Sequence, residues 1–269
     1  METTSIKIAG CQVTVPHIVS MVERDLHVRN VTGRTREKLR ETEVDLVVFP
    51  ELSTISYSKD TFAHLQELAE ELDGPSFKRF SWLAKELGAF VCYGMPLKEN
   101  GRIFIAQVVL DSGGDYVAHY NKIHLAQFGA SLEKQYFSRG DRLVSFTIDR
   151  FSFGLMICYD MRFPELARKY ALEKEVDCLL HPVAFYKDQS YPSWHHFVHT
   201  RALENQVYML SLNQAGEKYG RSVFCPPWVD YNTEAAIFSE DEEVKVFELS
   251  KKTIRKSRDE YRLREDRFF

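Results

Sequence analysis

The chain is 269 residues long, with 44% hydrophobic and 13% aromatic content, enough apolar mass for one large α/β domain or two smaller ones. A formal net charge of −4 gives no support for a nucleic-acid or anionic-membrane partner, and no segment approaches the ~20 apolar residues of a membrane span. Met1 to Lys7 shows neither the basic nor the apolar part of a secretory leader, and the five cysteines, at 11, 92, 158, 178 and 225, make no CxxC pair and no disulfide framework, so a reducing cytoplasm is expected.

In chain order, Ile6 to Val13 reads as a first strand and Val19 to Glu41 as a long helix. Gly33 costs that helix about 1 kcal/mol against Ala, which weakens the expectation that it runs unbroken. Val44 to Phe49 is a second strand, stopped by Pro50. Helical patterns over Thr61 to Glu71 and Ser76 to Leu87 are separated by the breaker Asp73-Gly74-Pro75. Phe90 to Met95, Arg102 to Leu110 and Tyr116 to Tyr120 read as strands, the last two joined by a hairpin turn at Ser112-Gly113-Gly114. The apolar run Phe151 to Ile157 ends in Cys158 and breaks at once into the polar turn Tyr159-Asp160-Met161-Arg162, ahead of a helix-like stretch, Phe163 to Glu175. A strand from Val176 to His181 closed by Pro182, a helix from Ser193 to Glu204 and a strand from Val207 to Leu212 follow. Shorter strands at Ser222 to Phe224, Ala235 to Phe238 and Glu243 to Leu249 precede a charged tail, Thr253 to Arg267. No Ser/Gly/Pro linker and no solenoid-length repeat interrupts the alternation, which predicts a mostly α/β single domain over 1–269.

Three strand ends carry chemistry. A thiol at the top of a strand, on a sharp turn into a helix, is where α/β enzymes hold a nucleophile, although a free Cys is more often a small buried hydrophobe. Glu51 stands just past an apolar strand, behind a proline, and Lys122 lies within the otherwise apolar Tyr120 to Leu125. Taken singly, a Glu or Lys at such a place is an ordinary surface residue. Taken together the three make a set complete for acyl transfer: a desolvated carboxylate to take the thiol proton, a thiolate to attack, and a fixed ammonium to stabilise the oxyanion. Strand ends are also where open α/β sheets collect their ligands.

With these residues the sequence resembles the nitrilase superfamily of carbon–nitrogen hydrolases. The family's Glu-Lys-Cys triad matches Val48-Phe49-Pro50-Glu51, Tyr120-Asn121-Lys122-Ile123-His124-Leu125 and Gly154-Leu155-Met156-Ile157-Cys158-Tyr159-Asp160. Leu132 to Asp141 resembles the loop with a second active-site glutamate, which maps to Glu133. Thr200 to Tyr208 resembles a characteristic helix end, and Arg258 with Asp266-Arg267 the C-terminal arm, here 250–269. Cys158-Tyr159-Asp160-Met161-Arg162-Phe163-Pro164-Glu165-Leu166 is most similar to the Nit-type branch, which includes omega-amidases acting on monoamides of dicarboxylic acids. There are departures. His181 stands where a small or apolar residue is expected before the proline, Ser193-Trp194 where the family often has His-Trp, and Phe224 to Trp228 matches poorly.

The resemblance implies a four-layer α-β-β-α sandwich and a homo-oligomer built on a dimer, with no metal or organic cofactor. It implies a thiol amidohydrolase releasing ammonia from a small linear carboxamide through a cysteine thioester. Glu51 would be the proton acceptor and donor, Lys122 and the Tyr159 backbone N–H the oxyanion partners, and Glu133 the residue that orients Lys122 or the amide. Arg162, with Asp160 on the same turn, carries the specificity question. A guanidinium fork suits a substrate carboxylate, and a structural pair with Glu165 or another acid is the alternative. An N-carbamoyl amidohydrolase is the rival within the class, and an idle scaffolding protein or a thiol redox sensor the rivals outside it. His195 and His199 have i, i+4 spacing but lack the glutamate base of a zincin, so they are expected on a helix surface or in packing. His124 and His181 are expected to be hydrogen-bonded structural residues, Cys11, Cys92 and Cys178 core, and Cys225 without a role.

Overall fold

A computed structural model of the protein describes residues 5–129 and 131–268, so that Met1 to Thr4, read above for leader features, lie outside it. The first half runs β1 (Ser5–Gln12), α1 (Met21–Leu39), β2 (Leu46–Val48), α2 (Lys59–Ala63), α3 (Leu65–Leu68), α4 (Pro75–Leu87), β3 (Phe90–Glu99), β4 (Arg102–Leu110), β5 (Tyr116–Asn121) and α5 (Glu133–Tyr136). The second runs β6 (Ser145–Ile148), β7 (Phe151–Leu155), a 3-10 turn (Cys158–Arg162), α6 (Pro164–Glu173), β8 (Cys178–Pro182), α7 (Ser193–Asn205), β9 (Tyr208–Leu212), β10 (Val223–Cys225), β11 (Ala236–Ile237), β12 (Glu243–Ser250) and α8 (Lys251–Glu260).

The strands form two six-stranded sheets, β12-β1-β2-β3-β4-β5 and β11-β10-β9-β8-β7-β6. Each has the same internal plan. Three parallel strands (β1, β2, β3 in one and β7, β8, β9 in the other) form the centre. An antiparallel strand lies on one side and two lie on the other. The repeat therefore lies in the connectivity, not in any short sequence period.

Period-2 alternation sorts the layers. On β1, Ile6 and Ile8 face a shared core with Leu155, Leu180, Leu210 and Leu212 of the other sheet, while Ala9 and Cys11 face Val28, Phe80 and Leu83 of α1 and α4. Gly10 stands on the inter-sheet side, where a Cβ would come within 3.1 Å of Phe238 and 3.3 Å of Leu212, so the sheets close tightly there. The second sheet's outer face packs on α6 and α7 through Leu166, Tyr170, Trp194 and Val198. The result is the four-layer α-β-β-α sandwich.

Several boundaries differ from expectation for local reasons. α1 starts at Met21 because Ser20 and Glu23 form a reciprocal capping box, and it runs unbroken through Gly33. Thr61 to Glu71 is not one helix. Ser58 caps a shorter one (Thr61 N to Ser58 Oγ, 3.1 Å), and Glu70 is drawn into extended pairing beside β3, with Glu70 N to Pro96 O at 3.1 Å and Lys98 N to Glu70 O at 2.7 Å. The charged tail is a helix only over α8, capped by Ser250. Cys11, Cys92 and Cys178 are buried as expected, and Cys225 is buried with them. Among the described residues no helix is long and apolar enough to cross a membrane.

Candidate active site

Glu51 follows β2, Lys122 follows the edge strand β5, and Cys158 follows β7 of the opposite sheet. The Glu51 turn is pinned from several sides. Gln107 Nε2 donates to Phe49 O (3.0 Å), Gln214 Nε2 to Glu51 O (3.2 Å), and Ser53 Oγ exchanges bonds with the Gly94 backbone (3.1 Å each). Only a glycine fits at 94, since a Cβ there would lie 2.5 Å from Pro50 O and Leu52 N. Leu52 (φ 46) and Cys158 (φ 45) are non-glycine residues in the left-handed region. That region costs an L-residue about 1–2 kcal/mol and persists only where the surroundings over-determine it.

Lys122 Nζ donates to Glu51 Oε1 at 2.7 Å and to Glu133 Oε1 at 2.8 Å, and all three residues are buried. The remaining carboxylate oxygens take backbone donors: Ala184 N–H to Glu51 Oε2 and Ala126 N–H to Glu133 Oε2, each at 2.8 Å. Tyr57 Oη donates to Glu133 Oε1 (2.6 Å). Burial raises the Glu51 carboxyl above its usual range; Lys122 opposes this, and the charge of Glu133 reinforces it. Burial alone would lower Lys122, but the flanking carboxylates Glu133 and Glu51 outweigh it and hold the ammonium above its ordinary range. Desolvation and then the Glu51 charge push the Cys158 thiol well up, against the pull of Lys122. The resting thiol is therefore protonated, beside a carboxyl made unusually basic.

Cys158 opens on to a cavity of about 370 Å³ lined by Tyr57, Glu133, Tyr159, Arg162, Phe185 and Tyr219 among others. Arg162 does not pair with Glu165. Its guanidinium lies 5.2–6.0 Å from the ring centroids of Phe197, Phe128 and Phe185, and the buried Nη2 has no hydrogen-bond partner among the described residues. Lys59 and Lys218 also line the cavity, with Asp188 and Glu133 as its acidic residues.

The structure thus gathers Glu51, Lys122, Glu133, Cys158, Tyr159 and Arg162 at one place. Asp160 corrects the reading that gave it a share in specificity. It is fully buried and accepts from Tyr120 Oη (2.7 Å), Ile157 N (2.9 Å), His124 N (2.9 Å) and His124 Nδ1 (2.7 Å), so it anchors the turn and has nothing left for a ligand. His124 and His181 are hydrogen-bonded, as expected. His195 bonds the Arg221 carbonyl, and among the described residues no group of three His, Cys, Asp or Glu could hold a metal. Sequence reasoning missed Tyr57 and the amides of Ala126 and Ala184. Tyr57 stands on the loop that leaves Glu51, where position alone was the available signal; the amides carry no side-chain signal at all.

These features have known counterparts. The carbon–nitrogen hydrolase family model matches residues 11–259, and the chain belongs to that family, hydrolases of carbon–nitrogen bonds other than peptide bonds. Within the nitrilase superfamily it falls in the Nit-type branch. It is 30% identical over 261 residues to the human omega-amidase, covering 90% of each chain. It is 34% identical over 188 residues to a Pseudomonas protegens hydrolase, matching 67% of this chain and 62% of that protein. It is 34% identical over 179 residues to the mouse deaminated glutathione amidase, spanning 55% of its length. The crystal structure of Saccharomyces cerevisiae Nit3, from branch 10 of the superfamily, superposes with a TM-score of 0.86 at 25% identity over 100% of this chain and 98% of its own.

Proposed function

We propose that the protein is a thiol amidohydrolase that converts a small linear carboxamide bearing a distal carboxylate into the acid and ammonia. The observation that carries this is the convergence of Cys158, on its left-handed turn, with the buried Glu51–Lys122–Glu133 cluster whose charges act on the thiol, Cys158 and Glu133 lining the cavity.

Glu51 takes the Cys158 proton and the thiolate attacks the amide carbon. Lys122 has three donors, two of them on Glu51 and Glu133, which leaves one for the developing oxyanion beside the Tyr159 N–H. Glu51 returns its proton to the departing ammonia, and a thioester remains. Water activated by Glu51 then releases the acid and restores the thiol. Glu133, whose oxygens accept from Lys122, Tyr57 and Ala126, acts by holding Lys122 rather than by exchanging protons. Arg162, walled by three rings and with Nη2 free of hydrogen bonds among the described residues, supports the distal carboxylate, and the omega-amidase name of relatives points to the same substrate class.

An ammonia-release screen over short amides with and without a distal carboxylate tests the reading, with no carbon dioxide expected. Arg162→Gln should cut kcat/KM for carboxylate-bearing amides by about 100-fold, the loss of one charge-assisted anion contact. It should leave neutral amides within a few-fold; an equal loss for both would remove Arg162 from recognition. The pH profile carries a second expectation. Glu51 must be ionised to accept the thiol proton, and its pKa lies above the ordinary 4.5, so the acid limb of kcat/KM should have its midpoint above that value. A midpoint at or below 4.5 would take Glu51 out of the role of base.

A further inference from the structure

His181 departs from the family pattern, and the structure places its ring directly behind the nucleophile. His181 Nε2 is 2.9 Å from the Cys158 carbonyl oxygen, and Nδ1 is 2.8 Å from Ser211 Oγ. Trp194 Nε1 lies 2.9 Å from the same Ser211 oxygen. The side chains of His181, Ser211 and Trp194 are all completely buried.

The direction of this row follows from what each atom can do. A carbonyl only accepts, so Nε2 carries the hydrogen. In a neutral ring Nδ1 is then the acceptor, and the Ser211 hydroxyl must donate to it. The indole N–H only donates, and Ser211 Oγ takes it on a lone pair. Each donor has one acceptor, and the tautomer of His181 is fixed. A second ring proton would face the Ser211 hydroxyl proton and break the row. Burial, with a smaller contribution from the Lys122 ammonium, draws the ring down to about 4, against the opposing pull of the Cys158 carbonyl and the Asp160 carboxylate. The ring is therefore neutral at ordinary pH.

Cys158 needs such support, because φ 45 is costly for any residue with a Cβ. On the N-terminal side of the turn, Asp160 accepts from Ile157 N–H. On the carbonyl side of Cys158 stands the row from α7 and β9 through His181 on β8. We propose that His181 is a positioning residue for the nucleophile: its bond to the Cys158 carbonyl, with the tautomer set by Ser211 and Trp194, holds the thiol in register with Glu51 and Lys122. This rests on Cys158 being the nucleophile.

The test compares His181→Phe, which keeps a ring but removes both nitrogens, with His181→Gln, which keeps a donor. Steady-state kinetics, the rate of Cys158 alkylation by iodoacetamide and the thermal midpoint are measured for each. His181→Phe should lower kcat by about 10- to 100-fold, the scale of a nucleophile displaced by a fraction of an ångström, with KM within about 3-fold. Alkylation should slow with it, and His181→Gln should recover most of both. Ser211→Ala leaves the imidazole in place but removes the group that fixes its tautomer, and should lower kcat by about 3- to 10-fold on the same ground. A folded His181→Phe with wild-type kcat and alkylation rate overturns the proposal. So does a loss of kcat that His181→Gln fails to recover in a folded protein. Should His181→Phe not fold, a Ser211→Ala variant with unchanged kcat overturns it instead. Cys158→Ala distinguishes the two ideas: turnover without the thiol sinks the nucleophile itself, whereas turnover lost there but untouched in His181→Phe sinks only the positioning.

Discussion

Cys158→Ala is expected to abolish amide turnover and leave the fold as it is. Removing the nucleophile of an acyl-transfer site costs about 10⁶-fold in kcat where the triad acts as a unit, so ammonia release should fall to background. Stability should change little. The thiol lines the cavity at the edge of the core, and Ala bears the same left-handed backbone cost as Cys. A thermal midpoint within a few degrees of wild type, with no thioester mass adduct under turnover, is the expected pair of results. Ammonia release near the wild-type rate would end the proposed mechanism.

Lys122→Met should damage both rate and stability. The variant keeps the aliphatic stem but leaves Glu51 and Glu133, each bonded to Nζ in the native protein, as buried carboxylates with no cation between them. Breaking a buried ion pair from one side costs about 3–5 kcal/mol. Losing an oxyanion partner costs about 10²–10³-fold in kcat. The pH dependence gives the deficit a sign. With the cation gone, the Glu51 carboxyl is raised further above its unfolded value; such a group favours the fold below the unfolded pKa and loses that contribution as pH rises through the folded one. The stability deficit should therefore be largest at neutral pH and shrink toward pH 5, which urea unfolding at the two pH values measures. A raised KM with unchanged kcat would take Lys122 out of the oxyanion role.

Most of the strands and the motif positions were legible because they rest on short-range patterns: alternation on β1, an apolar run into a polar turn at Cys158, a proline behind Glu51. The helix expected over Thr61 to Glu71 failed because the chain from Ala69 is extended beside β3, a partner about 30 positions away that no local window contains. The shared plan of the two sheets was invisible for a similar reason, being a repeat of pairings rather than of residues. Asp160 was misread because an acid on a polar turn next to a nucleophile gives no hint that four donors already occupy it.

By itself the sequence determined which chemical groups the protein has and where along the chain they fall: a thiol, a carboxylate and an amine at strand ends, a guanidinium on the turn after the thiol, and a second carboxylate marked by resemblance alone. It also carried the departure at His181. The tertiary structure decided what those groups are to one another. Lys122 lies 71 residues from Glu51, yet strand pairing in one sheet brings them to 2.7 Å, and the facing of the second sheet delivers Cys158 to within reach of both charges. Protonation state, pairing and direction of hydrogen bonding depend on burial and on distances of a few ångströms. Those are set by the packing of two sheets, so only the folded chain shows that Glu51 is made basic, that Arg162 Nη2 has no hydrogen-bond partner among the described residues, and that the histidine at 181 stands behind the nucleophile.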